Sequence, residues 1–205
     1  MKYYDLFSTP VAKYENFISI DESKEIFKTL MKDTSSIPHD YILGDAKTNT
    51  SETAQTLKSY PALEQKIIDA LEHYTDQVGL APVRILNSWF NIQNKGSELS
   101  PHTHPLSAIS GALYINAEEN SSGLSFDNPV ANIIDLCWWN QKSKSKYTIE
   151  KEIFDVAAGD LFLFPGYIKH GGVLNNSSNR MCIVFDACYK YFDTKEYNDK
   201  PRNVE

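Results

Sequence analysis

The chain has 205 residues, 41% of them hydrophobic and 23% charged, and no apolar run approaches the ~20 residues that a membrane helix needs. That length predicts one domain, able to bury roughly 70% of its unfolded surface with no need of a disulfide or structural metal. Twenty basic residues against 27 acidic ones give a formal charge of −7, which argues against the basic face that non-specific nucleic-acid binding requires and against attraction to an anionic membrane surface. The opening, Met1 to Phe17, alternates polar and aromatic residues and lacks the apolar core of a signal peptide. Three cysteines without a CxxC pair (Cys137, Cys182 and Cys188) give no disulfide framework and no zinc ribbon. They point to a reducing compartment, and the expected location is cytoplasmic. All three stand in strand-like apolar context and read as core residues.

Residues 3–19 read as extended. Asp21 to Met31 has helical spacing in Ile26, Leu30 and Met31, with Asp21 as the cap. Residues 33–56 are polar and rich in Ser, Thr, Pro and Gly, and read as a mobile loop. A second helix follows, with Leu63, Ile67, Leu71 and Tyr74 at three- to four-residue spacing, Pro61 near its start and Gly79 closing it. Beyond residue 82 the texture changes to short runs rich in Val, Ile, Phe and Tyr, separated by turn residues. The runs are 83–93, 108–116, 122–127, 131–138, 146–154, 160–164 and 180–191, and their spacing suggests a sandwich or barrel. The organisation expected is a single domain: a strand and helical layer over 1–81, a β-roll over 82–191 and a tail over 192–205.

Five histidines occur. His39 lies in the polar loop and reads as a surface residue; His73 reads as part of the polar face of the second helix. His102-Thr103-His104 precedes the run 108–116. Residues i and i+2 of a strand share a side, about 6.5–7 Å apart, so two imidazoles there can converge on one ion. An isolated HxH more often means two histidines at a strand end, hydrogen-bonded or exposed. His170 adds a third imidazole after the run 160–164 and its proline stop Pro165, and the three can close a facial triad. Ten residues on, Arg180 opens the apolar run Met181–Phe185. It fits either a surface arginine or a planar fork for a carboxylate.

These residues resemble the double-stranded β-helix of Fe(II)- and 2-oxoglutarate-dependent oxygenases, in particular an uncharacterised bacterial and phage branch. The resemblance runs from Ser88 to Phe185: Trp89, Asn91 and Gly96; His102-Thr103-His104-Pro105; Ser110 to Ile115; Gly123-Leu124, Phe126 and Pro129; Leu163-Phe164-Pro165, His170 and Arg180. Leu6 to Pro10 also resembles that branch's start. It implies a mainly β fold with N-terminal helices, a cupin-like jelly roll. It implies Fe(II) held by His102, His104 and His170, and 2-oxoglutarate paired with Arg180, with Tyr114 or Asn91 adding a hydrogen bond. The activity implied is a dioxygenase that turns 2-oxoglutarate into succinate while hydroxylating an unknown small-molecule or peptide substrate, with no nucleic-acid or membrane partner. A homodimer is compatible with this reading.

The sequence departs from that pattern where His104 stands for the carboxylate of an HxD/E motif. Asp127 is an alternative carboxylate, read as a turn residue before Asn128-Pro129. A second resemblance, to the cupin metal motifs, covers Gly96 with HxH and Gly159 with Pro165 and His170, but lacks the cupin glutamate after HxH. A cupin-like metal-binding protein, or a non-catalytic binding module on the same fold, is therefore the alternative. Trp138-Trp139 reads as core aromatics of an edge strand, or alternatively as an aromatic wall over substrate. Lys142 to Lys146 reads as a solvated hairpin tip or an anchor for an anionic substrate.

Overall fold

The computed structural model describes residues 1–33, 36–50 and 54–191. In chain order the elements are β1 (Ala12–Tyr14), α1 (Ile20–Leu30), β2 (Ile37–Pro38), β3 (Ile42–Leu43), β4 (Ala46–Thr48), a 3-10 turn (Thr56–Ser59) and α2 (Pro61–Val78). Then come β5 (Val83–Gln93), β6 (Glu98–Leu99), β7 (Ile109–Asn116), β8 (Leu124–Asp127), α3 (Ala131–Cys137), β9 (Lys151–Phe154), β10 (Leu161–Pro165), β11 (His170–Gly172) and β12 (Arg180–Tyr189).

The main sheet has seven strands in the order β1-β10-β7-β12-β5-β4-β2. The smaller sheet β11-β8-β9 and the pair β3-β6 complete a jelly roll. Pleating sends alternate side chains of the main sheet to opposite sides. One side, carrying Phe90, Ile92, Leu113, Ile115, Leu161, Leu163, Ile183 and Phe185, packs with Ile26 and Leu30 of α1 and Leu63, Ile67 and Leu71 of α2. The other side, carrying Ala112, Tyr114, Phe162, Phe164 and Cys182, meets Leu124, Phe126 and Ile168 inside the roll. Gly111 is glycine because a Cβ there would lie 2.1 Å from the Phe185 ring.

Both helices form where the spacing predicts, with one change. The α1 cap is Ser19, whose Oγ accepts the Glu22 N–H at 3.1 Å; Asp21 falls inside the first turn. Gly79 closes α2 in the left-handed conformation.

The polar stretch 33–56 is not a plain loop. It supplies β2, β3 and β4, and β4 pairs with residues 91–93 of β5. β5 is eleven residues long, and its backbone donors need partners on both sides. Thr48 Oγ1 donates to the Phe90 carbonyl at 3.0 Å and Asn49 Oδ1 accepts from the Phe90 N–H at 2.8 Å, extending the match through side chains. Residues 34–35 and 51–53 of that stretch, and the tail beyond Tyr191, lie outside the described residues.

The run 131–138 is helical, not a strand. Asn128 Oδ1 accepts the Val130 N–H at 3.0 Å, and this turn with Pro129 starts α3. None of its residues is buried. Trp138 and Trp139 just after it are 56% and 80% exposed and are not core aromatics. Cys137 is likewise exposed, whereas Cys182 and Cys188 are buried as expected.

Candidate metal centre

Three imidazoles meet at one end of the roll. His102 and His170 form an antiparallel bridge, each backbone N–H donating to the other's carbonyl at 2.9 Å. Gly171 allows this approach, since a Cβ there would lie 2.8 Å from the Leu99 carbonyl oxygen. His104 is fixed separately, its N–H donating to the Gly166 carbonyl at 2.9 Å. Residues 103 and 104 lie outside any regular strand, so two anchor points, and not strand pleating, bring the HxH pair together.

The three ligand nitrogens lie within 4.8 Å of one another. Every Nδ1 is already engaged. That of His102 meets the Ser100 carbonyl at 2.9 Å, that of His170 the Ile168 carbonyl at 3.1 Å, and that of His104 the Asp186 carboxylate at 3.0 Å. Carbonyls and carboxylates only accept, so Nδ1 carries the hydrogen in each ring and Nε2 keeps its lone pair. Nε2 of His104 is buried with no partner, as a metal-ligating atom would be before its ion arrives. Burial is the main cause that lowers the pKa of His102, and it takes His170 down to about 3, with His102 nearby adding to the effect. Neutral imidazoles are the form that binds a metal.

Arg180 is not a surface residue but is buried at the floor of the same cavity, about 280 Å³ in volume. Its Nε donates to the Ser122 carbonyl at 2.8 Å, Nη2 to the Tyr114 hydroxyl at 3.2 Å, and Nη1 to Gln93 Oε1. All three acceptors are neutral, and no carboxylate among the described residues pairs with it. Burial raises the Tyr114 phenol pKa, so the hydroxyl keeps its own proton while accepting from Arg180. The Gln93 amide oxygen is held by Arg180, and its Nε2 is buried without a partner. Asn91 also lines the cavity, its Oδ1 buried and unpartnered.

The alternation of the strands explains this gathering. Asn91 and Gln93 on β5, Ser110 and Tyr114 on β7, and Arg180 and Asp186 on β12 all sit on the side of the main sheet that faces into the roll.

His39 is a correction: it lines the cavity, with Nδ1 accepting the Tyr41 N–H at 3.0 Å. Burial first, then the nearby His102, lowers its pKa to about 4. Tyr41 stacks on His102 with ring centroids 5.7 Å apart and planes 18° apart. His73 is exposed on α2 as read. Asp127 is absent from the histidine cluster; Lys151 at 3.3 Å and Lys169 at 3.9 Å hold its carboxylate instead. Lys144 and Lys146 are exposed and pair with Glu150 and Asp5. Gln93, Asp186, Ser122 and Tyr41 went unread in the sequence. The one available signal was a charge, Asp186, inside the apolar run 181–188.

Residues 87–186 match the family described as "Putative 2OG-Fe(II) oxygenase". Over those residues the chain is similar to the 2OG-Fe(II) oxygenases. The family's description names Fe(II) and 2-oxoglutarate. No curated protein matches the chain. Among solved structures it is similar to HygX from Streptomyces hygroscopicus with nickel and 2-oxoglutarate bound. That similarity has a TM-score of 0.62 and 12% identity, over 90% of this chain and 84% of that one. The non-heme alpha ketoglutarate dependent epimerase SnoN from nogalamycin biosynthesis superposes with a TM-score of 0.64 and 9% identity, over 96% and 86% of the two chains. A prolyl-4-hydroxylase from Pseudomonas putida gives 0.57 and 13%, over 90% and 95%. At such identities the likeness shows the shared double-stranded β-helix, and the epimerase and hydroxylase names show that this fold carries more than one outcome. Among the described residues no helix is long and apolar enough to cross a membrane.

Proposed function

We propose that this oxygenase holds Fe(II) with His102, His104 and His170, anchors 2-oxoglutarate on Arg180, and hydroxylates a small-molecule or peptide substrate in a reducing, cytoplasmic setting. One observation carries the reading: a buried guanidinium with no carboxylate partner among the described residues shares a small cavity with three imidazoles whose Nδ1 atoms are all engaged, leaving Nε2 for an ion. A buried cation left unpaired is costly, and an anionic ligand offsets that cost. A dicarboxylate cosubstrate supplies the anion at one end and reaches a metal at the other.

Fe(II) and 2-oxoglutarate, when bound, supply an oxidation by O2 that yields succinate, CO2 and a hydroxylated product. The chain's own groups do the rest. Ser122, Gln93 and Tyr114 hold the Arg180 fork in place, leaving two of its five N–H groups for the distal carboxylate. The Tyr114 hydroxyl and the Gln93 amide nitrogen can donate to the same carboxylate. Asn91 can add a bond with its amide nitrogen turned toward the cosubstrate. Leu99, Ala112, Leu124, Phe164 and Val184 line the cavity and exclude water, which strengthens each of these bonds. Tyr41 and His39 stand where the cavity opens beside His102, the place a second substrate would approach.

The test is anaerobic. Fe(II) and then 2-oxoglutarate are added to metal-free protein, and the charge-transfer band of the chelate is followed. The expected result is a band that is lost in His170→Ala. Iron bound without a band would favour the cupin-like or purely binding reading of the same histidines.

A further inference from the structure

The three imidazoles are not equivalent. His102 and His170 donate to backbone carbonyls, which are neutral, whereas His104 donates to a carboxylate. Asp186 is nearly buried, its side chain 12% exposed beside a His104 that is 11% exposed. It also accepts a 2.7 Å bond from the Ser110 hydroxyl, and Ser110 is its register partner on β7. Among the described residues His104 is its only ion-pairing partner. His104 is also the position where the HxD/E pattern carries a carboxylate.

We propose that His104 and Asp186 together act as the anionic ligand of the metal, Asp186 being a positioning residue that delivers one negative charge to the ion through the His104 ring. The inference rests on the metal reading above. Its physical basis is a balance of charge. Three neutral imidazoles leave a divalent ion at +2, and two imidazoles with one carboxylate leave +1. A buried carboxylate hydrogen-bonded to a ligating imidazole pushes electron density onto the ring and offsets a charge that the first ring of ligands leaves uncompensated. The same bond fixes the His104 tautomer and the plane of its ring. A nearly buried carboxylate whose ion-pairing partner among the described residues is an imidazole is itself costly, and the ion at the far side of that ring relieves the cost.

Two substitutions separate charge from shape. Asp186→Asn keeps the size and an acceptor oxygen for the His104 N–H but removes the charge; Asp186→Glu keeps the charge and changes the length. The readouts are anaerobic Fe(II) affinity, the energy of the Fe(II)–2-oxoglutarate charge-transfer band and the melting temperature of the metal-free protein. D186N is expected to melt near the native temperature, to bind Fe(II) about 10–100-fold more weakly and to shift the band to higher energy, because the iron is less electron-rich. D186E is expected to keep the native band position. If D186N binds Fe(II) within twofold of the native protein with an unmoved band, the proposal is overturned. It is overturned equally if D186N fails to fold, or if D186E moves the band as far as D186N does, since the role is then structural. A native protein that binds no iron fails the underlying metal reading, a result distinct from all of these.

Discussion

The two faces of the main sheet are built from the same strands and do different work. On the helix-facing side, Phe90, Leu113, Ile183 and Phe185 are fully buried, and each contributes roughly 1.5–3 kcal/mol by leaving water. On the side facing into the roll, the same strands bury Asn91, Gln93, Ser110, Arg180 and Asp186. Polar groups there cost stability unless they are bonded, and Asn91 and Gln93 each keep an unpartnered atom. Stability is thus concentrated on one face and chemistry on the other. A residue's face, more than its depth, sets what its loss should do.

The largest effect expected from the roll-facing side is His170→Ala. Iron affinity should fall by at least about 1000-fold, since one of three ligands is gone, while the metal-free protein melts within a few degrees of native. Anaerobic Fe(II) titration and a thermal melt check both halves. Loss of fold in this variant would break the division between faces.

Arg180→Met comes next. It keeps an apolar stem and removes the fork, so 2-oxoglutarate affinity should fall about 100-fold, the scale of losing charge-assisted hydrogen bonds in a buried site. Fe(II) affinity should stay within about twofold. Titrating the cosubstrate into the iron-loaded protein reads this directly, and an unchanged cosubstrate affinity would remove Arg180 from the site.

The helix-facing counterpart is Phe185→Ala, on the same strand as Arg180. It should cost roughly 3–5 kcal/mol in unfolding free energy, and Gly111→Ala, which drives a methyl into that ring, roughly 1–3 kcal/mol. Below their melting temperatures both should bind Fe(II) and 2-oxoglutarate with near-native affinity. A site that weakens in step with stability would show the faces to be coupled.

The same division explains how much could be read from the sequence. The helix spacing and the run 83–93 mark the helix-facing core directly, because apolar periodicity is local. The histidine triad was legible from three histidines, their spacing and a resemblance. Gln93 and Asp186 were not, because their roles come from pairing across strands: β5 beside β12, and β12 beside β7. The run 131–138 misled because Ile133, Ile134 and Leu136 look like strand interior, whereas the turn at Asn128 starts a helix in which no residue is fully buried. The stretch 33–56 misled in the opposite sense, since its short strands form through partners elsewhere, β4 on the long β5, β2 on β4 and β3 on β6, and not through their own propensity.

The smallest effect expected concerns the cavity's mouth, where a residue from that misread stretch faces the roll. His39 has a pKa of about 4 in the folded protein against an ordinary 6.5, chiefly because burial disfavours its charged form. Between those values the unfolded chain binds the proton and the native protein does not, so protonation favours unfolding. The contribution of neutral His39 is intact above about pH 6.5 and is lost progressively as pH falls toward 4. Metal-free protein should therefore lose more of its melting temperature between pH 7 and pH 4.5 than His39→Gln does. Equal pH slopes in the two proteins would mean that the ring takes up its proton without leaving the cavity. The mouth would then belong to the solvent-exposed surface and not to the roll-facing side of the comparison.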